Sequence, residues 1–283
     1  MKYTWLITIG STLLWTGCSG TEPEVAPQKT EEAPVPEAPK ATKKLNLEEL
    51  QKAAEEVALV PSPAEMQKSL KNAGLTSNLS EMVSQEKAIS MDVASKDNLA
   101  VRTGVVLADL VLTVKTATKD QKIERLNKLK VGFKDLGAGD DIQTTIDELI
   151  KNITNDAISD DNLLQDMDEL SGVMVSELEY EAGEWVVPLI QAGSWLEGAN
   201  LVSAAIIKEN KFDTASQLLK QPRVVEYFLK YVEREGSNKA PDQVVGKLTE
   251  VLNTLKTITS KEQLSADDVT QIQTSTTDVL SML

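Results

Sequence analysis

From Ser62 onward the apolar residues of this chain recur every three or four positions, and nowhere do they alternate with period two over the length of a strand. A chain patterned in this way can bury apolar stripes of helices but has no sheet face to offer, so the expected fold class is all-α. Start and stop signals agree with the periodicity. Asn46 with Glu49 three places on, and the run Ser62-Pro63-Ala64-Glu65, both have capping-box form, the second with proline at the first helical position where its missing N–H costs nothing. Gly74 closes that second helix. Asp97 to Ala117 is a long, unusually apolar segment, after which Ile123, Leu126, Leu129, Phe133 and Leu136 mark one face until Gly137. Asp140 opens a helix faced with Ile142, Ile146, Leu149, Ile150 and Ile153. Ser159 or Asp160 opens another, carrying Leu163, Leu164, Met167, Leu170, Met174 and Leu178 to Gly183. Trp185 to Ile207 is the most apolar stretch after the leader, with Pro188 tolerable only in its first turn. Four shorter helices follow, at about Asp213 to Lys220, Pro222 to Glu235, Pro241 to Thr259, and Ser265 to the end.

The connections are mostly short, as between antiparallel neighbours in a bundle, and no self-similar period of 30 to 50 residues points to a solenoid. The architecture expected is an irregular bundle of about ten helices over residues 45–283, with the loop GSNKA (236–240) as the best internal boundary. The stretch from Trp185 to Ile207 is long enough to test against a bilayer. It holds Gln191, Ser194, Glu197, Asn200 and Ser203, and a central acidic residue alone costs about 2.5–3.5 kcal/mol on insertion. It is expected as a buried central helix.

The amino terminus reads as an address. Lys2 precedes an apolar run from Trp5 to Trp15, too short to span a bilayer, so residues 1–17 are expected to be a signal peptide. The chain's one cysteine, Cys18, follows Gly17 in LLWTGCSG, which resembles the lipobox of bacterial lipoproteins, where the cysteine becomes the acylated amino terminus. That family prefers Leu three places before the cysteine, a place held here by Trp15; an ordinary secretory signal with an incidental cysteine is the alternative. Ser19 in place of Asp after the cysteine implies, by the Gram-negative sorting rule, a destination at the outer membrane. Several acyl chains anchor far more firmly than one, at about 0.8 kcal/mol per buried methylene. From Ser19 to Lys44 the chain carries Pro23, Pro27, Pro34, Pro36 and Pro39 among five Glu and four Lys. Such a segment buries no core, and residues 18–44 are expected to be a disordered tether reaching at most about 80 Å.

Composition excludes whole classes of chemistry. Without His and with a single Cys, the usual zinc sites and the Ser/His and Cys/His nucleophile pairs cannot be built, so no metal, no cofactor and no enzymatic activity are expected. The formal charge of −15 becomes −16 when Lys2 leaves with the leader, and the folded part carries it. A net negative surface without a basic cluster argues against nucleic acid.

Candidate site residues are few. The pairs Asp140-Asp141, Asp160-Asp161 and Asp267-Asp268 invite a calcium reading, but none has alternating ligands with a central glycine and closing glutamate, and all stand at helix amino ends where carboxylates cap and meet the dipole. Glu177, Glu181 and Glu184 read as a solvated acidic face. Arg102, Asp109 and Thr113 share a narrow stripe with Asn98 and read as the solvent edge of a nearly buried helix. Glu197 has no other charge among its helical neighbours, so it needs a structural ion pair or faces a ligand.

The segments NLAVRTGVVLADL (98–110), IDELIKNITND (146–156) and LIQAGSWLEGANLV (189–202) resemble stretches of uncharacterised helical lipoproteins of Bacteroidetes and related bacteria, which tend to show GxYGADL-like and GGWIEGLY-like helices. The resemblance covers about residues 61–207. It departs at Arg102 and Thr103, where that family has apolar or small residues, and at Asn200, near its aromatic. It implies an envelope location and a helical fold, and no activity. The expected function is therefore that of a non-enzymatic envelope lipoprotein, anchored through lipid, that binds a protein partner or scaffolds an assembly. The alternative is a carrier or sensor holding a small amphiphile or a cation between the two apolar helices. Its candidate ligands are Glu197, Asn200, Gln191 and Trp195 from one helix and Asp109 and Arg102 from the other.

Overall fold

The computed structural model describes residues 60–84, 89–167, 178, 183, 185–233 and 242–283. The chain divides into two units, Met1–Leu45 and Asn46–Leu283. The first unit, the helix start at Asn46, the glutamates 177, 181 and 184, and the 236–240 loop lie outside the described residues.

Among the described residues there are ten α-helices and no strand. They are α1 (Pro63–Asn72), α2 (Lys96–Thr113), α3 (Lys119–Leu136), α4 (Asp140–Thr154), α5 (described over 160–167), α6 (Val186–Glu209), α7 (Ala215–Leu219), α8 (Pro222–Val232), α9 (Gln243–Thr259) and α10 (Ala266–Leu280). The caps explain the starts. Ser62 and Glu65 form the expected capping box on α1, and Thr118 with Gln121 and Ser265 with Asp268 form two more on α3 and α10. Gly137, at φ 105°, ends α3 in the left-handed conformation that glycine adopts without a Cβ penalty.

The acidic pairs sit in first turns as expected, but they do different things there. Asp268 accepts from the Ser265 N–H at 2.9 Å. Gly139 is the N-cap of α4, leaving Asp140 and Asp141 to act through the dipole alone. Ser159 caps α5, accepting from the Asn162 N–H at 3.2 Å.

The centre of the bundle is the pair α2–α6. α3 packs on α2, and α4 on α3, in successive layers; α10 lies along α6, α9 bridges α8 and α10, and α1 and α8 close further sides of α6. α6 is buried through most of its length, from Val186 to Ile206, and among the described residues no helix is long and apolar enough to cross a membrane. The central pair meets backbone to backbone. A methyl group placed on Gly104 would stand 1.8 Å from the Ile190 carbonyl oxygen, and one on Gly193 would stand 2.0 Å from that of Val101. At this crossing the two helices leave no room even for a methyl group.

The stripe Asn98, Arg102, Asp109 and Thr113 is not a solvent edge. All four are buried, Arg102 at 7% exposure and Thr113 at 0%. The helical period rightly puts them on one side of α2, but that side is covered by the 89–90 segment, by α3 and by the chain's last residues. Polarity survives there because partners are supplied.

Candidate functional site

Arg102 is the most heavily bonded of these side chains. Its Nε donates to Asn98 Oδ1 at 2.7 Å, Nη1 donates to the main-chain oxygens of Ser90 (2.9 Å) and Leu283, and Nη2 donates to that of Met282 at 3.2 Å. Asn98 Nδ2 in turn donates to Asp242 Oδ1 at 3.0 Å, and Asp242 caps α9 by accepting from the Val244 N–H at 2.9 Å. Burial pulls the guanidinium below its ordinary pKa, and the nearby Asp242 charge opposes that shift. The arrangement ties α2 to segments 12 and about 180 residues away. It takes up four of the five guanidinium N–H donors.

The α6 candidates are likewise engaged, and they point in different directions. Gln191 Oε1 accepts from the Tyr227 hydroxyl at 3.0 Å, and Trp195 Nε1 donates to Gln221 Oε1 at 2.7 Å, both on the α8 side. The Trp195 and Phe228 rings pack with centroids 5.6 Å apart. Asn200 Nδ2 faces α10, donating to the Gln273 carbonyl (3.1 Å), Thr276 Oγ1 (2.9 Å) and Thr277 Oγ1 (2.7 Å). Glu197 is 2% exposed and is itself engaged in an interaction. The six nominated residues therefore do not converge on one cavity.

Asp109 lines a shallow cleft of about 40 Å³ between α2 and α3, with Val106, Gln121, Glu124, Arg125 and Lys128. Arg125 Nη1 donates to Thr113 Oγ1 at 2.9 Å, and that hydroxyl donates to the Asp109 carbonyl at 2.5 Å. The roomier cavity, about 150 Å³, lies where α3 begins, α4 ends and α5 begins. Its floor is Ile153, Ile158 and Leu163, and its walls carry Lys119, Lys122, Asp156 and Asp160. Lys119 pairs with Asp156 at 2.8 Å, Lys122 with Asp160 at 2.5 Å, and beside them Lys115 pairs with Asp161 at 2.6 Å.

One further polar contact escaped sequence reasoning. Glu209, the last residue of α6, accepts from the Thr76 N–H at 3.0 Å and the Ser77 N–H at 2.6 Å, holding the turn after α1. Hydrogen bonds from Ser77 and then Thr76 hold its carboxyl at about 2, against an ordinary 4.5. No local signal could have shown this, because a glutamate at a helix carboxyl end is unfavourable by the dipole and is rescued only by a turn some 130 residues earlier. Asp242 was findable as an N-cap, directly before Gln243.

Among the described residues no group of three or more Asp, Glu, His or Cys side chains is placed to hold a metal ion. Comparison with protein-family models, characterised proteins and solved structures finds no match to this chain.

Proposed function

We propose that this chain is a lipid-anchored lipoprotein of the bacterial cell envelope, non-enzymatic, whose acidic helical domain docks a protein partner or scaffolds an assembly at the membrane. The observation that carries the partner reading is the distribution of charge. Residues 135–184 contain 15 of the 44 acidic residues and one basic residue, Lys151, and so account for −14 of the net −15. Along the described part of this stretch Asp135, Asp140, Asp141, Asp147, Glu148, Asp156 and Asp161 are exposed. A negative charge of this size draws a positively charged surface and disfavours anionic partners, nucleic acid included.

The polar side chains elsewhere support a structural rather than a catalytic use of the fold, since Asn200, Gln191 and Trp195 are bonded to neighbouring helices or their caps, and Arg102 to the main chain at 90 and 282–283. The anchor rests on Cys18 behind an apolar leader and on the resemblance to helical Bacteroidetes lipoproteins; Ser19 favours the outer membrane. Two measurements test the reading. Cys18→Ser should release the domain from the membrane fraction into the soluble envelope compartment, and a variant that still sediments with membranes at high salt would remove lipid as the anchor. Cross-linking in intact cells, read by mass spectrometry, should join lysines of a partner to carboxylates within 135–184; a chain recovered with no cross-linked protein would overturn the partner reading.

A further inference from the structure

The cavity between α3, α4 and α5 sits inside the most acidic stretch of the chain, and its chemistry is two-sided. Its floor is aliphatic, with Leu163 1% and Ile153 6% exposed. Its rim carries aspartate side chains that are more exposed than the lysine side chains paired with them. The Asp156 side chain is 84% exposed against 40% for Lys119, and Asp160 is 42% against 12% for Lys122. Each lysine engages one carboxylate oxygen, Oδ1, in these pairs, so the second oxygen of each aspartate is available to another donor. The Lys119–Asp156 pair is exposed on both sides and so exchanges readily.

Resting on the partner reading above, we infer that this cavity receives an arginine side chain of a basic protein partner. The aliphatic stem would lie on Ile153, Ile158 and Leu163, and the guanidinium would bond the free oxygens of Asp156 and Asp160. Arginine fits better than lysine because a planar fork of donors serves two carboxylate oxygens at once and is less strongly hydrated. The charge of 135–184 favours a cation over an anion at the same place, although Lys119 and Lys122 line the walls.

The test uses the full chain carrying Cys18→Ser, with isoleucine and leucine methyl groups labelled for NMR, and n-butylguanidinium as the probe. The Ile153, Ile158 and Leu163 methyls should shift saturably, with a dissociation constant on the order of 1 mM. The double variant Asp156→Asn, Asp160→Asn should weaken this about tenfold while the spectrum stays folded, since asparagine tolerates the positive φ of 53° at position 156. Floor methyls that stay unmoved as n-butylguanidinium is added would overturn the proposal. So would n-butanoate moving those methyls as strongly as the guanidinium. If the site fails while cross-links to a basic partner persist elsewhere on 135–184, the docking cavity is wrong and the partner reading stands.

Discussion

Replacing Gly104 by alanine tests whether the α2–α6 crossing is the centre of this fold. The added Cβ would lie 1.8 Å from the Ile190 carbonyl oxygen, 2.8 Å from its carbon and 2.9 Å from the Ser194 nitrogen. A carbon normally stops about 3.3 Å from such an oxygen, so the helices must part by roughly 1.5 Å. Every obstructing atom is backbone within α6, and none can rotate away. A radial gap of 0.5–1 Å already forfeits a quarter to a half of a dispersion contact, so the facing side chains, Val101 and Val105 at 0% exposure among them, lose most of their packing. Overpacking of this kind costs about 1–3 kcal/mol or more, and the better helix propensity of alanine returns about 1. With the lost packing added, the net expectation is a loss of about 3 kcal/mol, read from urea unfolding followed by circular dichroism on the full chain. Gly74→Ala is the control: at φ 81° with no atom within 4 Å of the new methyl, it carries only left-handed strain, about 1–2 kcal/mol. If Gly104→Ala costs no more than Gly74→Ala, the close crossing is not what holds the pair.

Other expectations follow from single side chains. Because the Glu209 carboxyl is held at about 2, its contribution to stability is present in full above about pH 4.5 and is lost as the pH falls through 2. Glu209→Gln should therefore be less stable than the native chain at pH 7 and equal to it near pH 2; a difference independent of pH would refute the contact. Arg102→Met strands the Ser90, Met282 and Leu283 carbonyls and should cost about 2–4 kcal/mol in the same unfolding assay, whereas a neutral result would mean that water replaces the guanidinium. Glu197, 2% exposed and engaged, should behave as a structural group, so Glu197→Gln should lose about 1–3 kcal/mol; an unchanged or more stable variant would point to a ligand-facing role.

Helix positions were legible because they are set locally. A hydroxyl at 62 or 265 and a carboxylate three places later satisfy the same first-turn N–H groups in any helical protein, and a glycine at 137 ends a helix wherever it stands. The apolar stripes at 142, 146, 149 and 153 and the burial of α6 followed from the same period. The shared side of Asn98, Arg102, Asp109 and Thr113 follows from that period as well, though not its burial.

What covers such a stripe is a different question. One turn of helix says which residues point the same way and nothing about what arrives from elsewhere in the chain. The acceptors of Arg102 come from Ser90, Met282 and Leu283, the donors to Glu209 from Thr76 and Ser77, and the partners of Asn200 from α10. By sequence, therefore, this protein is determined to be a set of capped amphipathic helices with its charge gathered in one stretch. The tertiary structure alone decides that Arg102, Gln191, Trp195 and Asn200 join distant segments of the chain, because a buried donor is satisfied by whichever chain segment packs over it, and packing is set by contacts that sequence separation hides.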